Sequence, residues 1–160
     1  MNKLFTLTIG AILALTLTAS AVDFSSQALY NHNFKSDKNV VGAEISASTN
    51  LFVDVVGQTS LGLSQAYGLS TDEANSVGIS SVAFRQNVDK LTYKGFAPYV
   101  AGECSLTYGQ EQTENWTFSP ILGESFSYKG VELFASVGYD FSVQNRGDSL
   151  TARAGFNWSF

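Results

Sequence analysis

The alternation at the C-terminal end of the chain narrows its fold more than any other feature. From residue 150 onward, Leu150, Ala152, Ala154, Phe156, Trp158 and Phe160 take turns with Thr151, Arg153, Gly155, Asn157 and Ser159. Successive side chains leave a β-strand on opposite faces, so a period of two is the mark of a strand. One face of this strand is wholly apolar and finishes in aromatics, and the other is small or polar. A strand that runs to the last residue, where most domains carry a frayed tail, is expected to be held in a sheet along its whole length.

The other end of the chain supplies an address. Met1, Asn2 and Lys3 form a short basic n-region, residues 4–18 carry no charge, and Ala19, Ser20 and Ala21 form a small-x-small cleavage site. This pattern predicts a secretory signal peptide over residues 1–21 and a mature chain of Val22–Phe160. An anchoring helix is the weaker reading, because the stretch is short for a bilayer span and lacks a stop-transfer flank.

Composition excludes several classes. Without Lys3 the nine Lys and Arg become eight against fourteen Asp and Glu, a net charge near −6. That balance disfavours nucleic acid, whose phosphates need basic patches. A lone Cys104 cannot form an internal disulfide, and one cysteine with one histidine is too little for a metal cluster, so no cofactor is expected. No second apolar run is long enough for a spanning helix.

The alternation extends to an all-β pattern of eight strands, near 23–33, 39–49, 51–63, 76–87, 93–108, 115–128, 130–143 and 149–160. In the seventh, Val131, Leu133, Ala135, Val137, Tyr139, Phe141 and Val143 oppose Glu132, Phe134, Ser136, Gly138, Asp140 and Ser142. In the fifth, the set from Phe96 to Tyr108 opposes Tyr99, Glu103 and Ser105. Strands one, four and six alternate poorly, and Pro120 is expected at an irregularity. The connections alternate in character, as an exported up-and-down barrel requires. Those near 34–38, 64–75, 109–114 and 144–148 are expected outside, with tight inner turns at Thr49–Asn50 and Lys129–Gly130. The inner connection near Asn87–Thr92 is longer.

Which face points outward follows from the polar set. It is rich in Gly, Ala, Ser and Thr, which suit the crowded interior of an eight-stranded barrel, whereas a solvent face carries many Lys and Glu. It also holds isolated mid-strand charges: Glu44, Asp54, Glu103, Glu132, Asp140 and Arg153. Tyr108 and Trp116 flank one expected outer loop, and Tyr128, Trp158 and Phe160 gather at the opposite end, like two aromatic girdles. The apolar face, Cys104 included, is therefore expected to meet lipid.

The end of the chain, with a polar Arg153, Gly155 two residues on, and aromatics Trp158 and Phe160 at the third-last and last positions, resembles the C-terminal signal read by the outer-membrane assembly machinery. With the eight-strand pattern, the chain resembles the small outer-membrane barrels of Gram-negative bacteria, the OmpA-barrel, OmpX and opacity-protein type. The resemblance implies an eight-stranded antiparallel transmembrane barrel over residues 22–160, located in the outer membrane. Implied partners are outer-membrane lipid and lipopolysaccharide, periplasmic chaperones and the barrel-assembly machinery.

Four sets of residues are candidates for chemistry. Arg153, with Arg85 where register allows, is expected to neutralise Glu44, Glu103, Glu132 or Asp140 in a lumen plug, since an unpaired buried charge is costly. Arg146, Gly147 and Asp148 spell an adhesion tripeptide in the last outer loop and are also ordinary turn residues. His32, near Ser36 and Asp37, is the sole support for a lipid-A-modifying enzyme, and no nucleophile motif surrounds it. Asp72, Glu73, Glu111 and Glu114 make the outer loops acidic, suited to sharing hard divalent cations with lipopolysaccharide. The expected role is non-enzymatic, structural or surface-interacting; a narrow channel for small solutes and a soluble barrel are the alternatives.

Overall fold

The computed structural model describes residues 22–71, 75–109, 114–144 and 147–159. Eight strands follow one another: β1 (Asp23–Asn33), β2 (Lys38–Val53), β3 (Gln58–Ser70), β4 (Ser76–Asn87), β5 (Phe96–Gly109), β6 (Asn115–Tyr128), β7 (Val131–Ser142) and β8 (Ser149–Ser159). Each pairs antiparallel with the one before, and β8 returns to β1 with Asp23 opposite Ser159 and Asn33 opposite Ser149. The sheet is thus a closed barrel, and closure removes the long free edges that invite aggregation. β1 begins and β8 ends at the near rim, and the opposite rim is the far one.

Near-rim turns follow from local chemistry. Lys129–Gly130 and Lys94–Gly95 are pairs with φ of 49° and 84°, and 49° and 87°. That is the left-handed pair of a type I′ turn, whose twist matches the strands it joins. A short 3-10 turn, Asp89–Leu91, completes the β4–β5 connection.

One hairpin departs from the sequence reading. The turn expected at Thr49–Asn50 lies instead at 54–57, where the Asp54 carboxylate accepts from the backbone N–H of Val56 (2.8 Å) and Gly57 (3.1 Å). The pairing steps from Asn50–Ser60 to Phe52–Thr59, which leaves Leu51 as a bulge and breaks the alternation just where the strand continues. β3 accordingly reaches Ser70, and the outer connection expected over 64–75 shrinks to 71–75. Asp54 is exposed in this turn. It is not a lumen charge.

The two faces separate as the alternation requires. On β7, Leu133 is 51%, Val137 44% and Phe141 48% exposed on the outside of the barrel, while Asp140 is buried within. On β8 the buried inward set is Ser149, Thr151 and Arg153. β4 mixes the two sets: Val77, Ile79 and Ala83 line the interior beside Arg85 and Asn87, while Val82 and Phe84 are exposed outside. Gln65 and Ser80, cross-strand partners on the outer wall of β3 and β4, satisfy each other, with the Ser80 hydroxyl donating to Gln65 Oε1 at 2.8 Å.

Candidate functional site in the barrel lumen

The polar residues that strand alternation sends inward meet in three layers. At mid-height, Arg153 of β8 donates from Nε to Glu44 Oε2 of β2 (3.0 Å) and from Nη2 to Glu103 Oε1 of β5 (2.7 Å). All three are more than nine-tenths buried. One guanidinium thus holds two carboxylates, each by a charge-assisted hydrogen bond of the strong kind.

Toward the near rim, Arg85 of β4 donates from Nη1 to Glu132 Oε1 (2.9 Å), from Nη2 to Ser125 Oγ (3.2 Å) and from Nε to Asn87 Oδ1 (3.0 Å). Its guanidinium carbon also lies 3.9 Å from the centre of the Tyr99 ring. Planar Arg can use edge and face at once, which Lys cannot. Toward the far rim, the Asp140 carboxylate accepts from Asn31 Nδ2 (2.9 Å), Ser149 Oγ (2.9 Å) and the Thr151 hydroxyl. Here three neutral donors, rather than a cation, replace the water lost on burial.

These layers divide the lumen into two cavities. The near cavity holds about 170 Å³ and the far one about 110 Å³. Glu103 and Arg153 line both, so their ion pair is the partition. Tyr99 and Phe134, which the alternation put on the polar faces of their strands, are the aromatics of the near cavity.

The remaining candidates lie elsewhere. At the far rim His32 Nδ1 is 2.9 Å from Asn39 Oδ1, and its Nε2 is 3.9 Å from Asp37. The Ser36 hydroxyl donates to Asn33 Oδ1 (3.0 Å) and not to the histidine, so these residues form no nucleophile–base pair. Asp148 accepts from the Ser142 N–H and the Tyr139 hydroxyl, each at 3.1 Å. Arg146 lies outside the described residues, as do Asp72, Glu73, Glu111, Phe160 and the expected signal peptide; Glu114 is exposed. Among the described residues no acidic or His/Cys cluster suits a metal ion. Cys104 is exposed on the outer wall. Gly155 sits where a Cβ would fall 2.3 Å from the carbonyl oxygen of Ser26, so the β8–β1 seam accepts only glycine there. Trp158 stacks between Phe24 (6.5 Å) and Phe156 (5.3 Å) at the near rim.

No protein-family model matches this sequence, and no curated protein matches it significantly. Solved structures do match. The crystal structure of Neisserial surface protein A (NspA) aligns with a TM-score of 0.63 at 12% identity, over 88% of this chain and 96% of that one. The backbone structure of the Yersinia pestis outer membrane protein Ail in a phospholipid bilayer nanodisc aligns with a TM-score of 0.52 at 14% identity, over 86% and 99%. The closed wall, the apolar exterior and the charged lumen therefore have the fold of the small eight-stranded outer-membrane barrels.

Proposed function

We propose that this chain is an integral barrel of a bacterial outer membrane with a structural and surface-interacting role, its near rim in the periplasm and its far-rim loops outside. The exterior carries the argument. A belt of exposed Val, Leu, Phe and Tyr surrounds a closed wall, with the ion-paired charges inside it and Glu124 of β6 standing exposed among the outward residues. Water-soluble barrels do the reverse, because an apolar belt of this extent would drive association, whereas in lipid a closed barrel satisfies every backbone group and meets the acyl chains with apolar side chains. The first partner in this reading is the assembly machinery that recognises a C-terminal strand such as Arg153–Phe160, after periplasmic chaperones have delivered the chain. Membrane lipid and lipopolysaccharide follow, the latter met by the acidic outer loops.

A general pore does not fit this lumen, since the Glu44–Arg153–Glu103 triad fills it at mid-height. The presence of a cavity on either side of that triad favours a second reading, a narrow conductance opened by displacement of Arg153. Single-channel recording in planar bilayers separates the two readings: a silent wild type supports the plug. Catalysis forms no part of the proposal, and unmodified lipid A after incubation with the purified protein is the expected mass-spectrometric result.

The test of location is a heat-modifiability gel on fractionated cells. A band in the outer-membrane fraction whose mobility in SDS changes on boiling is expected. A soluble protein with no such change overturns the reading and makes the barrel a water-soluble one.

A further inference from the structure

The near cavity is a blind cup. Its floor is the Glu44–Arg153–Glu103 triad, and Asp23, Gln58, Asn87 and Asn157, at or near the ends of their strands, bring its mouth to the near rim. Its two sides differ in kind. Arg85, Glu132, Tyr99 and Phe134 stand on one, with the ion pair already closed on itself. The other is a patch of uncharged amides and hydroxyls on adjoining strands: Asn157 of β8, Gln27 of β1, Ser48 and Asn50 of β2, and Gln58 and Ser60 of β3.

That patch is idle. Among the described residues, the side chains of Gln27, Ser48, Asn50, Gln58 and Ser60 make no hydrogen bond within the protein. The Oδ1 of Asn157 is buried and likewise unpartnered. Deeper in the same cavity hydroxyls do pair across strands, Ser25 with Ser46 and Ser64 with Ser81, both at 2.6 Å, whereas the five side chains above do not. A wall that does not satisfy itself is a set of donors and acceptors free for an occupant.

We propose that this cup binds a small neutral polyhydroxylated solute of monosaccharide size or less. Size sets the upper bound: about 170 Å³ is well above the need of one water and below that of drug-sized ligands. Charge sets the class. Two carboxylates to one guanidinium at the floor, and Asp23 at the mouth, repel anions. The amide and hydroxyl wall offers donors and acceptors together, which a hydroxyl can answer in both senses and a simple cation cannot. Phe134 on the opposite side gives the C–H face of a ring an apolar surface to rest on. The site does not open through the barrel, so its solute enters and leaves from the near rim alone.

The test uses the full mature barrel in phosphocholine micelles, which carry no sugar headgroup, titrated with D-glucose while side-chain amide signals are followed by NMR. Saturable shifts at Gln27, Asn50, Gln58 and Asn157, with a Kd in about the millimolar range, are expected. Asn31 and Asn115 of the far cavity should stay still, and gluconate should produce no saturation. Ser60→Leu, which puts an apolar side chain into the cup, should abolish the response, and Gln58→Leu serves if that variant does not fold. Shifts that grow linearly, that appear equally in both cavities, or that gluconate reproduces overturn the proposal.

Discussion

Tyr99 lies across Gly123. The two are cross-strand partners on β5 and β6, and a Cβ placed on Gly123 would fall 2.2 Å from Tyr99 Cζ. The glycine is the recess that lets the ring lie flat against the inner wall, and from that position the ring meets the Arg85 guanidinium. Gly123→Ala is therefore expected to expel Tyr99 and cost about 1–3 kcal/mol through overpacking, measured by urea unfolding in lipid vesicles. Tyr99→Ala should remove most of the penalty of Gly123→Ala in a double-mutant cycle, because the clash needs both residues.

The buried triad makes a sharper prediction. Arg153→Met leaves Glu44 and Glu103 facing each other without a cation, at an expected cost of about 3–5 kcal/mol. The triple change Glu44→Gln, Glu103→Gln and Arg153→Met removes the charges together and should recover most of that loss. The temperature at which the folded band gives way to the unfolded one on an unboiled gel reads both.

Asp54 caps the displaced near-rim turn, and the N–H groups of Gly57 and Val56 hold its carboxyl below the usual carboxylate range. A folded-state value below the unfolded one means that its contribution is complete above the ordinary Asp value and fades as pH falls through the depressed one. A carboxyl titration followed by NMR should place the midpoint of Asp54 below 3.8. Asp54→Ala should lower hydrogen-exchange protection of the Val56 and Gly57 amides; unchanged protection would refute the capping role.

At the far rim, the carboxylate of Asp148 is engaged by the barrel itself through Ser142 and Tyr139. A carboxylate so occupied is a turn residue rather than a displayed ligand. Asp148→Glu is expected to leave adhesion of cells to the immobilised protein unchanged. Loss of adhesion in that variant would restore the adhesion-tripeptide reading.

The fold was legible where both faces of a strand obeyed one rule. β7 and β8 keep apolar residues outward, and inward residues small or polar save Phe134, and their bounds fall within a residue or two of those read from the alternation. Legibility failed over residues 49–70 for a physical reason. A bulge at Leu51 shifted the phase, and β3 carries Gln65 on the outer wall, where its Nε2 donates to Tyr108 Oη (2.7 Å) and to the carbonyl of Ile79 (3.0 Å). Those partners lie 43 and 14 residues away. A local pattern cannot show that such a polar residue is satisfied, so the segment reads as a loop. The lumen site was legible by type and not by pairing. Glu44, Glu103, Glu132, Asp140 and Arg153 face inward as read, but which carboxylate meets which guanidinium depends on strand stagger around the ring, and that assigned Glu132 to Arg85. The idle amide and hydroxyl wall left no sequence signal, because its members look like the other small polar residues of a barrel interior.

Arg153 sits on β8, the strand that closes the barrel against β1. Until β8 takes its place between β7 and β1, the carboxylates of Glu44 and Glu103 have no cation between them, and any closure of the first seven strands alone would confine two like charges in a narrow lumen. The interior therefore opposes premature sealing and rewards it only when the final strand arrives.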